Sequence, residues 1–263
     1  MNTGISSKSG TRAHGPVGRA MLLIRLLARS GARGLALTDL AAATAMPHGT
    51  VHRLLKKLIA ERMALQLNAT RRYTLGVLAF ELGLAASAQF DVRPICRPVL
   101  AALAEAVDDT VYLIGRSGFE AVCLDRYEGR SPIRVLEIDV GSRRPLGLGA
   151  GGLAILSVVT DEELTEVLTR IADDPGFVPN RTEDVRASVI EARKRGYAVV
   201  HDRVTRGVSA VGIAVMNSLG APVASVTIAA IHERMKPARI KKLASELKLA
   251  AAAIERRLPG SAA

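Results

Sequence analysis

The chain has 263 residues, 49% of them hydrophobic and 23% charged, with 36 Lys and Arg against 25 Asp and Glu. That is enough apolar material for one large domain or two ordinary ones, and too much for a wholly disordered chain. Cys96 and Cys123 stand in no CxxC or Cys/His spacing, which excludes a disulfide scaffold and points to a reducing, cytoplasmic setting without structural zinc. The longest apolar runs, Ala150–Val159 and Gly207–Val215, fall far short of the ~20 residues a membrane span needs, so no membrane partner is expected. Residues 1–15 are polar and basic without an apolar h-region and read as a disordered tail.

Charge is segregated along the chain. Up to Leu78 there are twelve basic residues and only two acidic ones, Asp39 and Glu61, whereas the remainder holds 24 basic and 23 acidic side chains. A basic front portion joined to a nearly neutral remainder is the footprint of polyanion binding at one end.

Pro16 to about Ser30 carries Val17, Ala20, Met21, Ile24 and Leu27 at helical spacing, with Pro at the permitted first turn. Gly31–Gly34 breaks it. Thr38 can cap a second short helix, Asp39–Ala45, and Met46–Pro47 leaves room only for a tight turn before a third helix, His48 to about Arg62. In this third helix Val51, Leu54, Leu55, Leu58 and Ile59 form one apolar stripe. The opposite face presents Gly49, Arg53, Lys56 and Lys57, flanked by Thr50 and His52. A cationic helix after a short helix and a tight turn suits the DNA major groove. Ala64–Leu67 and Tyr73–Leu75 read as a β-hairpin whose tip brings Arg71 and Arg72 within reach of phosphate or minor groove.

Gly76–Ala88 resumes helical spacing, as a linker and dimerisation helix, and Asp91 can cap a helix through Val107 interrupted early by Pro94 and Pro98. Strands are expected at Thr110–Gly115, Ala121–Asp125, Ile133–Ile138, Tyr197–Val200, Ser209–Met216 and Val223–Ala230. Helices are expected at Ala150–Val159, Asp161–Ile171, Glu183–Arg195 and from Pro237 to before Pro259. The pattern is α+β with a largely antiparallel sheet.

The stretch Leu37-Thr38-Asp39-Leu40-Ala41, then Met46-Pro47, Thr50-Val51-His52-Arg53-Leu54-Leu55 and Tyr73-Thr74-Leu75-Gly76 resembles the winged helix-turn-helix of IclR-type transcriptional regulators. Gly141-Ser142-Arg143-Arg144-Pro145-Leu146, Gly196-Tyr197-Ala198-Val199 and Gly207-Val208-Ser209 extend the likeness over about Pro16 to Arg257. The resemblance implies a winged helix-turn-helix over residues 16–76, a linker helix over 77–90 and a GAF-like effector domain over 91–258, assembled as a dimer or dimer of dimers on an operator. It also implies DNA contacts from Thr38, His48, Gly49, Thr50, His52, Arg53, Lys56, Lys57, Arg71 and Arg72, and an effector pocket lined by Leu146, Ala150, Gly151, Val200, His201, Ala210, Thr227 and Ala229. Where relatives often carry an Asp-Asp pair this chain has Val200-His201; where they often carry Cys it has Ala210; and their two last-strand serines are Thr227 and Ala229. A pocket with fewer donors suits an aromatic or otherwise more apolar acid, steered by His201, Arg143 or Arg144. A domain with no small ligand is the competing reading.

Gly147-Leu148-Gly149-Ala150-Gly151-Gly152 matches G-x-G-x-x-G, but the flanking βαβ context of a dinucleotide fold is missing, so the glycines are read as close helix-on-sheet packing. His48 and His52 lie at i, i+4 without a third ligand, and no nucleophile–base constellation is visible, so neither metal, cofactor nor catalytic residue is expected. The alternative to a ligand-responsive regulator is a small-molecule enzyme with a basic appendage.

Overall fold

The computed structural model describes residues 15–136, 138–172 and 181–259; the expected tail lies, but for Gly15, outside them. The chain divides into two compact units, residues 1–87 and 88–263. The division falls inside the expected linker helix.

The first unit comprises α1 (Pro16–Ser30), α2 (Leu37–Thr44), α3 (His48–Ala60), β1 (Ala64–Gln66), β2 (Tyr73–Leu75) and most of α4 (Val77–Phe90). Leu23, Leu27, Leu40, Val51 and Leu55 are fully buried and form its core, so the 3.6-residue stripes of three helices meet as their spacing demands. Helix α2 begins two residues before the expected start. Its cap is Ala36, whose N–H donates to the Asp39 carboxylate at 3.1 Å, so Thr38 is an exposed residue of the first turn and not the cap. Leu35 and Tyr73 exchange backbone bonds of 2.9 and 2.8 Å, tying the segment before α2 to the hairpin. Gly34, at φ +63°, makes this approach: a Cβ there would lie 2.5 Å from the Tyr73 carbonyl oxygen.

The second unit adds α5 (Arg93–Val107), β3 (Thr110–Ser117), β4 (Glu120–Tyr127), β5 (Arg143–Pro145), α6 (Ala150–Leu156), α7 (Asp161–Ala172), α8 (Arg181–Arg195), β6 (Ala198–His201), β7 (Val208–Met216), β8 (Pro222–Ile231) and α9 (Pro237–Glu255). The strands form one sheet in the order β5-β4-β3-β8-β7-β6, every neighbouring pair antiparallel. Leu100, Val111, Leu113, Val226, Ile228 and Leu247 pack α5 and α9 against one face. On the other face Leu146, Leu153, Leu164, Val185 and Val200 join α6, α7 and α8 to the sheet. No described helix is long and apolar enough to cross a membrane.

Three expectations are corrected here. Ile133–Ile138 is not a strand among its described residues, because side chains take carbonyls a ladder would need: the Ser131 hydroxyl donates to Ile133 O at 3.1 Å and the Tyr112 hydroxyl to Val135 O at 2.5 Å. The edge strand is β5 instead, paired Val122↔Arg143 and Glu120↔Pro145. Helix α6 stops at Leu156 rather than Val159, where Arg193 captures the carbonyls of Ser157 and Val159 at 3.1 and 2.7 Å. Helix α5 runs through Pro94 and Pro98 without a break.

Asp109, with its side chain 1% exposed, holds the end of the sheet to the start of α9. Arg234 Nε donates to it at 2.9 Å and Arg239 Nη2 lies 2.6 Å from its second oxygen, while Arg239 also reaches Val107 O at 2.9 Å. Removing the carboxylate leaves two partly solvated guanidiniums without their partner. Asp109→Ala is therefore expected to destabilise by about 1–3 kcal/mol in denaturant unfolding; an unchanged midpoint would show that this ion cluster contributes nothing to the fold.

Candidate functional site

Two places gather chemistry, one in each unit. In the first, α3 buries Val51, Leu55 and Leu58 and turns His48, Gly49, His52, Arg53, Lys56 and Lys57 outward, with Thr50 half-buried. Pro47 supplies the cap, its carbonyl accepting from Thr50 N at 2.9 Å and Val51 N at 3.1 Å, so the first turn is formed where the tight turn ends. Among the described residues the side chains of Arg53, Lys56 and Lys57 make no hydrogen bond or ion pair. The hairpin arginines separate. Arg71, at φ +58°, is exposed, while Arg72 folds back, its Nε donating to Gly34 O at 3.1 Å and its Nη2 lying 3.4 Å from Asp39. Arg72 is thus engaged in joining the hairpin to the start of α2.

The second place is a concavity on the α6 face of the sheet, about 690 Å³ including its open mouth. Its walls come from β3, β4, β7 and β8, from the glycine-rich start of α6, and from the loop after β6 that contributes Val204 and Thr205. They are largely apolar: Ile114, Ala121, Val200, Val208, Ala210 and Ala229. Polar groups are few. Tyr112 spends its hydroxyl on Val135 O; Ser142, Arg144 and Thr205 also line the space. Thr227 is 5% exposed and its Oγ1 is buried without a hydrogen-bond partner among the described residues. A buried hydroxyl left without a partner costs free energy. Gly151 and Gly212 make room for it: a Cβ on either would come within 2.9 and 3.0 Å of that oxygen. The Cys123 thiol at the wall is pushed up to about 11, chiefly by burial, so it is not a ready nucleophile. Among the described residues no three metal-ligating side chains cluster.

Of the pocket residues carried over from the resemblance, Ala150, Gly151, Val200, Ala210, Thr227 and Ala229 line this concavity; Leu146 and His201 do not. Leu146 is fully buried in the cluster beneath α6. His201 follows Val200 on a strand, so it emerges on the opposite face, its Nδ1 2.8 Å from Ser209 Oγ. Arg143 and Arg144 divide in the same way: Arg143 is bound to Glu120 at 3.0 Å and to Ser117, and Arg144 faces the pocket. Tyr112, Ile114, Ser142 and Val208 were not anticipated. Period-two alternation in β3, with Val111 and Leu113 in the opposite core, is the signal that marks the first two.

Residues 16–68 match the IclR helix-turn-helix domain, and residues 84–256 the family described as bacterial transcriptional regulator IclR C-terminal. The HTH-type transcriptional regulator KipR of Bacillus subtilis is 30% identical over 227 residues, covering 85% of this chain and 90% of that protein. Among solved structures, an IclR-type regulator from Silicibacter sp. TM1040 superposes with a TM-score of 0.79 at 24% identity, over 92% of this chain and 96% of the other. An IclR homologue from Microbacterium hydrocarbonoxydans, complexed with 4-hydroxybenzoate, superposes with a TM-score of 0.68 at 20% identity, over 92% and 98%. At these identities the two structures speak for the fold.

The Thr227 oxygen makes a stability prediction independent of any ligand. Thr227→Val removes a buried unpaired hydroxyl while keeping the shape, and is expected to stabilise the free protein by about 1 kcal/mol, a rise of roughly 2–4 °C in melting temperature. A fall in melting temperature would mean that the hydroxyl is satisfied.

Proposed function

The chain belongs to the IclR family of bacterial transcriptional regulators, and on that footing we propose that α3 docks in the major groove of an operator while the concavity of the second unit takes a small aromatic carboxylate. The protein is a DNA-binding transcriptional regulator with an effector-binding domain; its relatives are named as regulators, and nothing supports the enzyme alternative. One observation carries the docking: Arg53, Lys56 and Lys57 stand, without partners among the described residues, on the outer face of a helix whose other face is core. His48, Gly49, Thr50 and His52 join that face from the same helix, Thr38 on α2 and Arg71 at the hairpin supply further contacts, and Arg72 acts by holding the hairpin in place. Cations so arranged release counterions from DNA and make affinity fall with salt.

In the pocket, the Arg144 guanidinium and Ser142 hydroxyl are the groups suited to a carboxylate, Ile114, Val200, Ala210 and Ala229 to a ring, and the Thr227 hydroxyl to a polar group at its far end. The neighbour crystallised with 4-hydroxybenzoate supports this ligand class. Pairing of two copies through α4, whose Val77, Phe80, Leu82 and Leu84 are exposed, would set two basic helices on half-sites about 34 Å or a multiple apart. The effector would then shift the population between head spacings that fit and miss the site. Two unpaired buried cysteines accord with action in the cytoplasm.

Arg53→Ala and Lys56→Ala are each expected to weaken binding to DNA from beside the protein's own gene about tenfold and to reduce the salt slope by about 1; parental behaviour of both in a salt titration would remove α3 from the groove. For the effector, calorimetry with 4-hydroxybenzoate should show binding that Thr227→Val weakens about tenfold. Absence of heat from the parent protein would overturn the ligand class while leaving the DNA result intact.

A further inference from the structure

Strands β6 and β7 face two separate spaces. Val200 and Ala210 point into the effector pocket, whereas their chain neighbours His201 and Ser209 point to the α9 side of the sheet. There a groove runs between the edge strand β6 and the start of α9, with Tyr197, Val199, Met235 and Ile240 as its apolar walls. Its rim carries the cations Arg195, Lys236 and Lys241 beside the imidazoles of His201 and His232, and no carboxylate lines it among the described residues. Arg195 is shared with Glu191 at 3.3 Å; Lys236 and Lys241 have no ion pair among the described residues.

A second feature sits at one end of this groove. Ser209, 1% exposed, places its Oγ 2.8 Å from His201 Nδ1 and 3.1 Å from His232 Nδ1, and the two rings meet edge to face with centroids 5.5 Å apart. A hydroxyl carries a single hydrogen, so it donates to one imidazole and accepts from the other. One added proton on the pair leaves this chain of bonds intact. A second sets two N–H donors against one oxygen and strands the serine hydrogen.

We propose that this groove is a second ligand site, which takes a small organic dianion and links its binding to uptake of one proton by the His201–His232 pair. The apolar walls hold the body of the ligand, and Lys236, Lys241 and Arg195 meet its charges together with the protonated pair. In the empty groove burial holds His201 below its ordinary value; the neighbouring His232 and Arg195 act in the same direction, and Asp202 opposes them. Lys236 and Lys241 add further positive charge from α9. A bound anion reverses that balance and raises the pair's proton affinity, so by linkage the anion binds more tightly as pH falls through the histidine range. The site is distinct from the effector pocket and shares with it only the two strands between them.

Benzenedisulfonate is a suitable probe, since its two charges do not titrate and any pH dependence belongs to the protein. Calorimetry on the full chain should show binding roughly tenfold tighter at pH 6 than at pH 8. Lys236→Ala/Lys241→Ala, both exposed positions, should lose more than about tenfold in affinity with an unchanged melting curve. Ala210→Met, which fills the effector pocket, should leave probe binding as it is. Absence of binding at millimolar probe, or loss of it in Ala210→Met with retention in the double lysine variant, overturns the site. An equal affinity at both pH values overturns the proton linkage. Histidine resonances of the parent protein test that linkage without any variant: the titration of His201 should move upward when the probe is added, and an unmoved midpoint counts against it.

Discussion

Side chains alternate across a β-strand, and in the second unit that alternation decides which residues share a space. The six strands are antiparallel and covered on both faces, by α5 and α9 on one side and by α6, α7 and α8 on the other. Each residue of β3, β7 and β8 is therefore assigned to one of two interiors. On β8, Val226 and Ile228 go to the α9 core while Ser225, Thr227 and Ala229 face α6. The concavity lies on the α6 side of this alternation, where alanines at 210 and 229 leave space that larger side chains would have filled, while glycines at 151 and 212 let α6 pack close against the sheet.

The same sheet separates two kinds of polar chemistry. On the α6 side a lone hydroxyl, Thr227, is buried in an apolar surround without a hydrogen-bond partner among the described residues, which is costly. On the α9 side the polar groups are satisfied by one another, His201 and His232 through Ser209, and a rim of positive charge faces water. An apolar surround strengthens any polar contact made in the first space, whereas charge at the rim of the second is screened by salt.

The first unit depends on a helical version of the same division. Helix α3 is anchored by Val51, Leu55 and Leu58, and this frees Arg53, Lys56 and Lys57 from any structural duty. Arg72 shows the contrast: an arginine adjacent to Arg71 is drawn into the fold by a carbonyl and a carboxylate within reach. A positive charge is thus left available to a partner only where the local packing has no use for it.

Much of this was legible from the residues alone. The apolar stripe of α3, the hairpin at 64–75, the helix Pro16–Ser30, the late strands and the segregation of basic charge into the front portion all follow from local spacing, because helix and strand periods are properties of neighbouring residues. Of the eight pocket positions carried over from the likeness to a known family, six line the concavity. What local pattern does not hold is the partner on the far side of each contact. That Ile133–Ile138 would lose its ladder to the hydroxyls of Ser131 and Tyr112, that Arg193 would end α6, and that His201 and Leu146 would leave the pocket were decided only when distant segments met. Sequence determines where a side chain can point; tertiary packing determines what it finds there, and function begins at that meeting.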